Sequence, residues 1–203
     1  MSARTTHLLY LHGFRSSPRS AKAQRMAAWV AQQRPDLVFA CPQLPPSPAA
    51  AVDLALSLVQ SWPRERMVLM GSSLGGFYAT VLAERLGCPA VLLNPAVDPA
   101  RDLAAYLGEQ SCWQSPEDPE QRFFFRAEFV DELRTLKPAA ITRPERYLPV
   151  IAKGDEVLDW REMHARYADC PRLKLLEGSD HALSDFDDYL EELCAFLGLM
   201  PRT

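Results

Sequence analysis

The sequence predicts an α/β fold, a parallel β-sheet covered on both faces by helices. Three observations predict it. Short apolar runs recur at 7–11, 37–41, 67–70, 89–93, 146–152 and 173–176. They are continuous rather than alternating, as in strands buried on both faces. Most are separated by stretches with helix start and stop signals, the strand–helix rhythm of a parallel sheet. Finally, Gly71-Ser72-Ser73-Leu74-Gly75 is a G-x-S-x-G pattern lying between an apolar run and a helix-like stretch, the context of a nucleophile elbow.

Composition sets the frame. The 203 residues are 48% hydrophobic and 24% charged, enough for one sizeable core. The net charge of −4 and the scattering of the basic residues, with lysine only at 22, 137, 153 and 174, argue against nucleic acid or an anionic membrane as partner. The N-terminal residues run straight into a strand-like segment without the apolar stretch of a signal peptide. No apolar run reaches the roughly 20 residues that span a bilayer. Five cysteines at 41, 88, 112, 170 and 194, without CxxC spacing, fit a reduced compartment and no metal site. A cytoplasmic protein, not inserted in a membrane, is expected.

His7-Leu8-Leu9-Tyr10-Leu11 is the first strand, ending at His12-Gly13-Phe14-Arg15. Ser17-Pro18 reads as an N-cap with proline at the first helical position, so a helix is expected from there to about Gln33. Residues 37–41 form the second strand, followed by a proline-rich loop over 42–48. Ser47-Pro48 repeats the cap signal, and the next helix carries Val52, Leu56, Val59 and Trp62 on one face until Pro63 stops it. Met67-Val68-Leu69-Met70 leads into the G-x-S-x-G turn, a buried helix over 77–86 closes at Gly87, and 89–93 is the fourth strand.

Over 98–144 the rhythm breaks. This stretch carries Trp113, Phe123, Phe124 and Phe125, several acids and a helix expected around 128–136, with no strand of the earlier kind. Loops at the carboxyl edge of such sheets build binding surfaces. The segment is therefore read as a cap inserted into one domain spanning 1–203, with Trp113 and Phe124 as substrate-lining candidates. An ordinary covering helix with long loops is the plainer alternative. The pattern resumes with the fifth strand at 146–152, a D-x-x-E capping signal at Asp159 and Glu162, the sixth strand at 173–176, and a final helix over 184–197 with acids in its first turn.

A serine hydroxyl needs a base to take its proton and a carboxylate to orient that base. Ser73, not Ser72, is the nucleophile candidate, because only Ser73 has glycines at both −2 and +2. Of four histidines, His7 starts a strand at the wrong end of the sheet and His164 lies inside a helix. His12, followed by glycine, suits a different task. His181 follows the last strand, at the edge the elbow shares, and is the base candidate. The acid candidate is Asp155, the first acid past the fifth strand; Glu156 is expected to face solvent, and Asp98, after the fourth strand, is the rival. Gly13 lets the chain turn so that the Phe14 amide faces the nucleophile. With the Leu74 amide it would make a two-donor oxyanion hole.

At these residues the chain resembles the short bacterial esterases of the YqiA/YcfP-type family within the α/β-hydrolase superfamily. The likeness runs through Tyr10-Leu11-His12-Gly13-Phe14-Arg15-Ser16-Ser17-Pro18 with Lys22, then Gly71-Ser72-Ser73-Leu74-Gly75-Gly76-Phe77. It continues through Asn94-Pro95-Ala96-Val97 and Gly154-Asp155-Glu156-Val157-Leu158-Asp159 to Asp180-His181. An expected Gly-Gly pair before the histidine is Gly178-Ser179 here. The resemblance implies a three-layer α/β-hydrolase fold in a short form, with six mostly parallel strands ordered 2-1-3-4-5-6. It implies Ser73, Asp155 and His181 as the triad and Phe14 and Leu74 as oxyanion donors, with no cofactor or metal. The activity expected is hydrolysis of a small-molecule acyl ester. Thioester hydrolysis and a catalytically silent binding module are the alternatives. Lys22 and Asn94 are read as structural.

Overall fold

The computed structural model describes residues 4–112 and 122–201. Its main sheet is built from β1 (His7–Leu11), β2 (Val38–Ala40), β3 (Met67–Ser72), β4 (Ala90–Leu93), β7 (Tyr147–Ala152) and β8 (Lys174–Leu176). All five pairings are parallel, in the order β2-β1-β3-β4-β7-β8. This is the three-layer α/β-hydrolase arrangement, with the strand order that the resemblance implies.

Side chains alternate across the strands, and the two faces feed separate cores. Leu9, Leu11, Leu69 and Leu92 pack with α2 (Pro48–Val59), α3 (Leu74–Leu86), α5 (Ala127–Leu136) and Tyr167 of α6 (Trp160–Tyr167). Leu8, Tyr10, Met70, Leu93 and Val150 pack with α1 (Ala21–Gln33) and α7 (Leu190–Phe196). Both faces are therefore dry, which is why these strands read as unbroken apolar runs.

The ends of several elements differ from expectation. α1 starts at Ala21, because Ser17 Oγ accepts from the Arg19 amide and its carbonyl from Ser20, closing a turn ahead of the helix. Ser47 does cap α2, accepting from the Ala50 amide at 3.2 Å. That helix stops at Val59, however, and Trp62 instead packs against the His7 ring, centroids 4.8 Å apart. The final helix is broken: a 3-10 turn at Phe186–Asp188 precedes a short α7. Between β4 and β7, a short α4 (Pro99–Asp102) and α5 flank an antiparallel pair, β5 (Gly108–Ser111) with β6 (Arg122–Phe125). The sequence predicts no strands there. Among the described residues no helix is long and apolar enough to cross a membrane.

Candidate active site

The carboxyl edge of the sheet brings together residues separated by more than a hundred positions. Ser73 sits between β3 and α3 with φ +56°, a strained conformation for a residue with a Cβ. The glycines around it are sterically required. A Cβ on Gly71 would come within 2.1 Å of the Gly75 carbonyl oxygen, and one on Gly75 within 2.0 Å of the Leu11 carbonyl oxygen. The elbow is thus wedged against both its own helix and β1, and its hydroxyl projects from the sheet. Ser72 is the buried last residue of β3.

His181 lies in the loop after β8. Its Nε2 is 3.1 Å from Ser73 Oγ and its Nδ1 2.8 Å from Asp155 Oδ2. A carboxylate only accepts, so Nδ1 carries the proton and Nε2 is left to accept from the serine hydroxyl. The Asp155 side chain, wholly buried, is itself fixed: its Oδ1 accepts from the Val157 and Leu158 amides, both at 2.8 Å. Asp98 is elsewhere, capping α4 and paired with Lys137 at 3.1 Å.

The histidine loop is gripped from several sides. The buried Asn94, itself at φ +42°, donates through Nδ2 to the Asp180 and His181 carbonyls at 3.0 and 3.3 Å. Its Oδ1 accepts from the Ala152 amide at 2.8 Å, tying that loop to β7. Lys22, reaching from α1, donates to the Ala182 carbonyl. Burial pulls its ammonium down to about 8, although Asp180 and Asp155 act in the opposite direction. Glu156 is exposed, as expected, and also accepts from the His181 amide at 2.9 Å. Gly154 packs against the same loop, where a Cβ would meet the Ser179 carbonyl oxygen at 2.2 Å. Ser179, at the expected Gly-Gly pair, takes φ +66° and bonds Asp185.

Beside the serine runs the turn after β1. A Cβ on Gly13 would stand 3.3 Å from Ser73 Cβ. The turn is held by His12, whose Nε2 accepts from the Leu44 amide and whose Nδ1 donates to the Gly13 carbonyl, both at 3.0 Å. Those partners leave the ring neutral, and burial lowers its pKa against the opposing Gly13 bond. The Leu74 amide, at the first position of α3, has no carbonyl a turn earlier to bond.

Two cavities flank this turn. One of about 150 Å³ is lined by Ser73 and His181 with Leu103, Tyr106, Val157 and Leu158. The other, about 480 Å³, is lined by Gly13, Leu44, Pro45, Leu54, Tyr78 and Phe123. Phe14, Arg15 and Leu74 border both. Of the two aromatic candidates in the 98–144 segment, Trp113 lies outside the described residues. Phe124 is turned outward and 62% exposed. The alternation of β6 explains this: Phe123 and Phe125 share the inner face and meet the Phe14 ring edge-on, centroids 5.7 and 5.2 Å away. Among the described residues no three His, Cys, Asp or Glu side chains cluster to hold a metal.

A model of an uncharacterised protein family, UPF0227, matches residues 7–198. Similar solved structures include α/β hydrolase domain-containing protein 10 from mouse, at TM-score 0.69 and 17% identity over 96% of this chain and 89% of that one. A monoacylglycerol lipase from Paleococcus ferrophilus matches at TM-score 0.66 and 15% identity, over 96% of each chain. The Pyrococcus furiosus esterase Pf2001 matches at 0.62 and 14%, over 99% of this chain and 83% of its own. At these identities the likeness is one of fold.

Proposed function

The chain belongs to the uncharacterised protein family UPF0227, and we propose that it is a serine hydrolase that cleaves carboxylic esters through an acyl-enzyme. The observation that carries this reading is the unbroken line of contacts from Asp155 through His181 to Ser73, with the serine raised on a strained elbow.

In this reading His181 Nε2 takes the Ser73 proton as Oγ attacks the acyl carbon, and Asp155 holds the resulting imidazolium by its Nδ1–H. The amides of Phe14 and Leu74 receive the oxyanion, helped by the positive end of α3. His181 then passes its proton to the leaving oxygen as the carbon–oxygen bond breaks, which leaves an ester on Ser73. Water, deprotonated by His181, attacks that ester, and the same proton returns to Ser73 as the acid departs.

The test is labelling by a fluorophosphonate probe, alongside turnover of p-nitrophenyl esters and acyl-CoA thioesters. Wild type and Ser72→Ala are expected to label and to hydrolyse the oxygen esters, and Ser73→Ala to do neither. Labelling that survives in Ser73→Ala sinks the assignment. Faster turnover of thioesters moves the substrate class while leaving the triad in place.

A further inference from the structure

The two cavities beside Ser73 are unequal, and the chemistry of the proposed reaction decides which part of a substrate each receives. We propose that the enzyme takes esters of a bulky, largely apolar acid with a compact alcohol. This inference rests on the serine-hydrolase reading above. A leaving oxygen must receive its proton from His181 Nε2, so the alcohol lies on the histidine side of the tetrahedral carbon. The cavity there, lined by Ser73 and His181, holds about 150 Å³. The acyl substituent projects away from the base, past the turn that carries the oxyanion donors. On that side lies the larger cavity of about 480 Å³.

Between serine and large cavity the turn places a residue with no side chain. Gly13 lines the large cavity and is the residue against Ser73; a Cβ there would stand 3.7 Å from Oγ. Beyond it the walls include Leu44, Pro45, Leu54, Tyr78 and Phe123, which suit an alkyl or aryl chain, with Ser16, Gln43 and Arg122 also lining the cavity. On the other side Leu103, Tyr106, Val157 and Leu158 close around the shorter arm.

The experiment crosses two ester series in a pH-stat: methyl esters from acetate to octanoate, and acetate esters from methyl to hexyl. Burial of each added acyl methylene is expected to raise kcat/KM by about fourfold until the cavity is filled, whereas lengthening the alcohol gives no gain. Leu54→Trp, a filling change at a half-buried wall residue, should lower the octanoate-to-acetate ratio at least tenfold while the hexyl-to-methyl ratio holds. Tyr106→Ala should do the converse, raising the hexyl-to-methyl ratio. The inference is overturned if alcohol length drives the gain in wild type, or if Leu54→Trp lowers both ratios together. Loss of all turnover in Ser73→Ala, measured in the same assay, keeps the two claims apart. An enzyme that is serine-dependent yet shows the reverse preference refutes the cavity assignment alone.

Discussion

At the scale of single residues, the site depends on a few side chains whose partners are fixed. Asp155 is expected to be indispensable: Asp155→Asn keeps its shape but no longer supports the imidazolium, and the loss in kcat should approach 10⁴-fold by analogy with serine proteases. Asp98→Asn, which touches only a helix cap and Lys137, should cost no more than about severalfold. Measuring kcat for both on one good ester, with circular dichroism to confirm folding, checks the pair; a dead Asp98→Asn beside an active Asp155→Asn reverses the assignment. Lys22 predicts a pH effect. Its folded pKa, drawn down to about 8 by burial, lies below its unfolded value near 10.4. The unfolded chain therefore binds more protons between these values, and stability rises with pH across that window. The Lys22 contribution is complete above the unfolded pKa and is lost as pH falls through 8. Lys22→Met should remove this rise, so thermal melts from pH 7 to 11 should show wild type gaining on the variant; parallel curves would contradict it. The candidate triad was legible because chain order and strand ends place Ser73, Asp155 and His181 on one edge. The grip of Glu156 on the His181 amide was not, because a carboxylate beside a turn gives no sign in sequence of which amide it meets.

At the scale of elements, legibility followed burial. Strands covered on both faces announce themselves as apolar runs. The β5–β6 pair did not, because Gly108-Glu109-Gln110-Ser111 is polar and becomes a strand only through its partner. Likewise Ser17-Pro18 has every mark of a helix start, but a preceding turn uses the serine oxygen. Once β6 is recognised, its three phenylalanines separate by direction. Phe125→Ala, which empties a buried site, should cost about 3–5 kcal/mol of stability. Phe124→Ala, on the exposed face, should change stability by no more than about 0.5 kcal/mol. Phe123→Ala, a cavity wall, should shift acyl-chain selectivity while leaving most of the stability. Denaturant melts and ester profiles on the three variants check this; a selectivity change in Phe124→Ala alone would contradict the strand register.

At the scale of the molecule, the amino edge of the sheet is closed by Arg34. Buried at the end of α1, it pairs with Asp36 and donates to the Thr5 and Leu199 carbonyls, binding the entry to β1 to the chain beyond α7. Arg34→Met strands those carbonyls and should cost about 3 kcal/mol. Because the edge it closes is opposite the elbow, the folded fraction should keep its specific activity; a fall in kcat at constant fold would show that the two edges communicate. The order in which the edge residues occur along the chain has a further consequence. Ser73 is made early and Asp155 late, and His181 arrives only with the loop after β8, held by Lys22 from the first helix and Asn94 from the middle of the sheet. During synthesis the elbow can form long before its base exists. On the proposed mechanism a growing or prematurely ended chain therefore carries the serine without the histidine that activates it, and competence comes late, when the last-made part of the site docks onto the first.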